Sequence, residues 1–295
     1  PGTLPSRVAD NLYWLGRYVE RAEFTARLVE ATLRLDALST RPAGEAAWTS
    51  AMKVIDADEA FAKTGAALTP QNVTRFLTVD TRHPGSVVCC LNMARDNARA
   101  VRTSLSREAW SAINSAWLLF HGKHSPGDTQ DVINLVTQAE AETRGFEGAV
   151  NRMLRNASSR FMRLGAAIER ADNSARLLDV KYHILLPEGE VVGGVVDRDQ
   201  WTTILQTVSA VNAYRWLYRE GLKPSCVTEL LILRRELPRS LAACAEEVVQ
   251  HLNGIGKDTG LQGVADRLAR ARHVRLGEAK VESIISNGLH ETLED

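Results

Sequence analysis

A fourteen-residue phrase occurs twice in this chain. Leu15 to Leu28 reads LGRYVERAEFTARL, and Leu164 to Leu177 reads LGAAIERADNSARL. Eight positions are identical, including Gly16/Gly165, Glu20/Glu169, Arg21/Arg170 and Arg27/Arg176, and Glu23/Asp172 keeps its charge. An α-helix turns about 100° per residue, so Glu20, Glu23 and Arg27 fall within about 60° of one another. Glu169, Asp172 and Arg176 do the same, and Tyr13 and Arg17 lie near the first face. The other side of each phrase is apolar: Leu15, Val19, Ala22 and Leu28 in the first, Leu164, Ile168, Ala171 and Leu177 in the second. A glycine inside a helix costs about 1 kcal/mol relative to alanine. Its recurrence at one point of the phrase predicts two helix backbones in close approach, related by a near two-fold.

The rest of the chain constrains the fold in the same direction. Apolar residues recur at helical spacing, as in Val8, Leu12, Leu15 and Val19, and strand-like alternation is nearly absent. Pro5-Ser6, Thr69-Pro70, Ser86, Ser106 and Ser240 read as helix starts. Pro238-Arg239-Ser240 reads as a helix–helix corner, and Asn253-Gly254-Ile255-Gly256 as a stop. Pro187 to Val196, rich in Gly and Val, is the one candidate for an extended segment. No stretch has the composition of a tether. The expectation is an all-α fold, a single large helical bundle over residues 1–295, open to division into related halves 1–125 and 129–295.

Charge and cysteine content narrow the function classes. The 36 basic and 36 acidic residues cancel, which argues against a dominant nucleic-acid surface. The four cysteines form no CxxC pair and read as thiols of a reducing compartment. No run approaches the roughly 18 apolar residues of a membrane span, and no signal peptide is evident. The expected location is cytoplasmic, with no nucleic-acid and no membrane partner.

Three readings of the duplicated face stay open at this point. It is a solvated face, a buried ionic network that fixes register, or the wall of a ligand pocket. In a pocket, Glu20, Glu23, Glu169 and Asp172 would suit an amine or a hard cation such as Mg²⁺. Arg21, Arg27, Arg170 and Arg176 would clamp a carboxylate or phosphate. A carboxylate-bridged iron centre is disfavoured because its Glu-x-x-His partner is missing. Arg95, Asn97 and Arg99, in the run ARDNAR, would add a third wall. His121 and His124 lack partners for zinc. No P-loop, GxSxG, HExxH or GxGxxG stands in a suitable context, so no catalytic residue is assigned and no cofactor is expected beyond the Mg²⁺ alternative.

Longer segments carry a family resemblance. SRVADNLYWLGRYVERAE (Ser6 to Glu23), the region Cys90–Arg102 with its ARDNAR run, SREAWSAIN (Ser106 to Asn114), Ile168–Leu177 and ELLILRRELPRS (Glu229 to Ser240) resemble, in order, the motifs of the bacterial alpha-E family. One departure is the turn His83-Pro84-Gly85-Ser86, where that family has Asn-Pro and a polar residue. The resemblance implies an all-helical domain without an assigned activity. It also implies association with circularly permuted ATP-grasp ligases and transglutaminase-like proteins, in a system that makes or modifies peptide or amide bonds. The implied role is an accessory or substrate-binding partner. An amide-bond hydrolase or transferase using a pocket carboxylate, and a purely structural scaffold, are the alternatives.

Overall fold

The computed structural model describes residues 4–183, 186–260, 263–280, 283, 284, 290 and 293. Among them the chain is all-helical, with thirteen α-helices and no strand. Helix α1 (Ser6–Leu38) begins after Pro5, as the sequence indicates, and its 33 residues span about 50 Å. Helices α2 (Arg41–Val54), α3 (Asp58–Ala62), α4 (Pro70–Thr78), α5 (Val87–Ala100) and α6 (Arg107–Phe120) follow. Thr69, Ser86 and Ser106 cap the last three of these by accepting the backbone N–H three residues on.

The second part comprises α7 (Thr129–Asn151), α8 (Ala157–His183), α9 (Val195–Thr207), α10 (Val211–Leu217), α11 (Pro224–Leu233), α12 (Leu241–Thr259) and α13 (Val264–Glu278). Asp128 and Asp131 close a capping box on α7. The sequence pattern predicts helix up to about Leu185; residues 184 and 185 lie outside the described residues.

Two local expectations are corrected. The segment 187–196 forms turns and runs into α9 rather than a strand. Gly189 and Gly193 adopt φ of 88° and 80°, and Asp197 ties the turn to α8 by accepting Gly193 N–H at 2.8 Å and Lys181 Nζ at 2.7 Å. Gly254 and Gly256 do not end α12; the helix continues to a left-handed C-cap at Gly260, φ 74°. Gly254 instead makes room for a neighbour, since a Cβ there would lie 2.3 Å from the Arg160 guanidinium.

Helix α1 supplies residues to three apolar clusters. Leu12, Leu15 and Val19 pack with Phe146, Ile113 and Met162. Ala26, Val29 and Leu33 pack with Trp48, Leu77 and Val136. Phe24 and Leu28 pack with Leu178, Trp201 and Leu230. A helix buried nearly all round is a core helix rather than a surface one. Its charged residues, Glu20 and Glu23 among them, are therefore carried inside and must find partners there.

Candidate functional site: a reciprocal glutamate–arginine lock beside a polar cavity

The two copies of the phrase meet. A Cβ on Gly16 would stand 2.0 Å from the Met162 carbonyl oxygen, and one on Gly165 2.1 Å from the Tyr13 carbonyl oxygen. Each glycine faces the carbonyl three residues before the other, so α1 and α8 approach backbone to backbone at equivalent points. Leu28 and Leu177 share a cluster beyond this contact, so the two helices run in the same direction.

This register exchanges the charges. Arg170 Nε lies 3.1 Å from Glu20 Oε1, and Arg21 Nε lies 2.8 Å from Glu169 Oε1. The glutamate of each Glu-Arg pair thus takes the arginine of the other. Arg17 adds a bond to Glu169 at 2.7 Å, while Tyr13 accepts from Arg17 at 3.3 Å. Arg17 also lies over the Trp14 ring.

A fourth arginine engages the acids of α1. Arg239, in the loop before α12, reaches Glu20 Oε1 at 2.5 Å and Glu23 Oε1 at 3.4 Å. The loop is set by Ser240, which caps α12 through Ala243 N, and by Ser174 Oγ, which donates to the Arg239 carbonyl at 2.7 Å. Arg27 donates to Glu23 through Nε and Nη2, at 3.0 and 2.8 Å. It also donates to the hydroxyl of Ser209, a residue at φ 56° that breaks α9 from α10.

Burial and partners set the electrostatics. Burial pushes the Glu20 carboxyl up, but Arg239 and Arg170 outweigh it and hold the group below the usual carboxylate range. Glu23 goes the other way: burial and the Glu20 charge raise it more than Arg239 and Arg27 lower it. Burial also raises Glu140, to about 7; Arg27 opposes this, while Glu30 and Glu23 add to it. Arg170 and Arg239 are held above their usual values by these acids despite burial.

Beside the lock lies a cavity of about 320 Å³ between α1, α7, α8 and α12. Glu20, Glu23, Glu147 and Glu247 line it, with Arg170 among them at 2.7 Å from Glu147 and 3.7 Å from Glu247. Arg155, Arg160, Arg163 and His251 are in the same lining.

Of the residues expected from sequence, the structure brings together Tyr13, Arg17, Glu20, Arg21, Glu23, Arg27, Glu169 and Arg170. It does not add Asp172 and Arg176. These pair with each other at 3.1 Å, about half exposed, on the outer side of α8. Nor do Arg95, Asn97 and Arg99 wall the cavity. Arg95 stacks 4.1 Å above Trp117 and donates to Asn114, which turns it toward α6; Arg99 pairs with exposed Asp96, and Asn97 is half-buried. The third wall comes from α7 and α12 instead.

Arg239 falls inside ELLILRRELPRS without being singled out there, and Glu140, Glu147, Glu247 and the arginines of the 155–163 stretch belong to no motif in the sequence. A weaker signal is present: Arg152, Arg155, Arg160 and Arg163 fall within twelve residues of a chain with no net charge.

Each acid proposed for a hard cation, namely Glu20, Glu23, Glu169 and Asp172, is engaged by arginine. Mg²⁺ would have to displace a guanidinium there. Among the described residues, three metal-capable side chains converge at Asp179, His183 and His290, in a partly exposed cluster remote from this lock.

Fold and site define a class: an all-helical protein built around two parallel helices that exchange Glu-Arg partners. The chain belongs to the Alpha-E family, described as a predicted alpha-helical domain with a conserved ER motif, whose model matches residues 4–295. Glu20-Arg21 and Glu169-Arg170 are the two ER pairs of this chain. An uncharacterized protein of Mycobacterium bovis is 26% identical over 310 residues, covering 97% of this chain. One from Mycobacterium tuberculosis is 25% identical over the same length. The chain spans 34% of the length of these relatives. No solved structure matches it.

Proposed function

We propose that this chain is a substrate-binding accessory protein of an ATP-grasp type peptide or amide ligase system, and that its polar cavity holds a charged amino-acid or peptide substrate. The observation that carries this reading is the presence of both charges in one cavity lining: four glutamates, four arginines and a histidine. Such a lining orients a ligand bearing both an amine and an acid. The length of the mycobacterial relatives is compatible with it, because the region similar to this chain is 34% of a longer protein there. Among the described residues no helix is long and apolar enough to cross a membrane. A cytoplasmic setting, with a transglutaminase-like protein as a further partner, belongs to the same proposal.

Ordered, paired glutamates at the centre fit binding better than catalysis, since Glu20 is held ionised by two arginines. The test is co-purification with an ATP-grasp ligase of the same organism, with ATP hydrolysis followed over amino acids and peptides. The expected result is substrate-dependent hydrolysis that rises when this chain is added. Glu147→Gln, at the half-exposed rim, should raise the KM for that substrate several-fold at unchanged kcat. Identical hydrolysis with and without the chain contradicts the proposal.

One observation favours the hydrolase or transferase alternative. A general base works best with a pKa near the working pH, and Glu23, which lines the cavity and is raised by burial and the Glu20 charge, moves toward that condition where Glu20 does not. Glu23→Gln should then abolish an activity of the isolated chain; retention of that activity removes the alternative.

A further inference from the structure

The arginines at the start of α8 carry more positive charge than their ion pairs neutralise. Arg155 makes no ion pair among the described residues. Arg160 lies flat against Gly254, with its Nε 3.4 Å from Asp258 but outside hydrogen-bond geometry. Arg163 gives one bond, from Nη2 to the Val150 carbonyl at 3.2 Å, and its buried Nε has no partner among the described residues. Burial, then Arg155 and Arg160, lower Arg163 from its usual value, and Glu247 only partly opposes them.

His251 completes the group from α12. It is 6% exposed, lines the cavity, and its Nδ1 has no hydrogen-bond partner among the described residues. Burial and the facing Arg163, Arg160 and Arg170 push it down to about 4, so at neutral pH it is an uncharged imidazole able to present an N–H. Unpaired buried donors are costly. Here they converge from two helices on one space. The first turn of α8, with Ser159 and Arg160 in the lining, adds the positive end of a 27-residue helix.

We propose that Arg155, Arg160, Arg163 and His251 form an oxyanion subsite for a phosphoryl group. A dianion answers three guanidinium charges better than a carboxylate does, and guanidinium forks match its oxygens. The imidazole supplies one more donor. Glu147 and Glu247, in the same lining, then receive a cationic or amine part of the same ligand. This deepens the proposed function and rests on the same cavity, but it does not depend on the ligase partner.

The experiment uses the isolated chain and inorganic phosphate as the probe. Binding is measured by calorimetry at constant ionic strength, with acetate in a parallel arm. The expected result is saturable phosphate binding, weakened at least tenfold in both Arg155→Gln and Arg163→Gln, with acetate at least tenfold weaker than phosphate. Arg155 is exposed, so its variant should fold; the unchanged melting temperature without phosphate checks this. Absence of saturable binding, or equal binding by the variants, overturns the subsite. Acetate binding as tightly as phosphate overturns the phosphoryl assignment. Phosphate binding together with an unstimulated ligase leaves the subsite standing and removes the ligase partnership.

Discussion

Gly16→Ala should destabilise the protein by about 3 kcal/mol or more, because an added methyl group meets fixed backbone rather than an open space. In an ordinary helix interior the same change stabilises, by roughly 0.5–1 kcal/mol. The sign is reversed here because a Cβ would stand 2.0 Å from the Met162 carbonyl oxygen, an atom of α8 itself. A flexible side chain could swing away; a helix carbonyl moves only if the whole helix moves. Separating α1 from α8 would stretch the Arg170–Glu20 and Arg21–Glu169 pairs on either side of the contact. Gly165→Ala should behave in the same way. Gly145 and Gly148 are internal controls, since both are exposed in α7 and an added methyl group would have nothing within 4 Å. Alanine at either should raise stability by about 0.5–1 kcal/mol. Chemical denaturation of the four variants checks the contrast. Gly16→Ala as stable as Gly145→Ala would mean that the helices do not touch.

Arg239→Met should cost about 3–5 kcal/mol, the range for removing one partner of a buried ion pair. The substitution keeps most of the volume but leaves Glu20 with Arg170 alone and Glu23 with Arg27 alone. The cost should depend on pH with a definite sign. In the folded protein Glu20 lies below its usual value, held there by Arg239 and Arg170 against burial. Its stabilising contribution is therefore complete above the ordinary carboxylate pKa, about 4.3, and is lost as pH falls through the lower folded value. Removing Arg239 raises the folded value. Wild type and variant should differ most near neutral pH and converge as pH drops below about 4. Arg239→Lys keeps the charge but loses the two-pronged reach to Glu20 and Glu23, so it should fall between them. A Met variant within about 0.5 kcal/mol of wild type at pH 7 would show that Arg239 is solvated rather than inserted.

The helical class, most helix starts and the close approach of two glycines are legible in the sequence, because they depend on local chemistry. A serine or threonine before an apolar repeat satisfies orphan N–H groups wherever it stands, and Gly16 and Gly165 sit at one point of the same phrase. The pairing of partners is different. Glu23–Arg27 and Asp172–Arg176 have identical spacing, yet the first is buried and the second is about half exposed. Position in the bundle separates them: α1 is surrounded, whereas α8 leaves its Asp172 side outward. Arg239 reads as part of a helix corner, and it is one, but the corner delivers the side chain between α1 and α8. No sequence period reports that. The basic wall is hidden in the sequence for a related reason, because three arginines on one helix entry look like a solvated face until α12 brings His251 against them. Gly254 has the local character of a stop, whereas its lack of a side chain serves the Arg160 guanidinium.

At the heart of the bundle the two Glu-Arg pairs exchange partners across α1 and α8. The most direct measurement is a double-mutant cycle with Glu20→Gln, Arg170→Gln and the combination, each followed by denaturant unfolding at pH 7. The exchange predicts a coupling energy of about 2 kcal/mol, with the double variant more stable than the sum of the single losses requires. Additive losses, within about 0.5 kcal/mol, would contradict it.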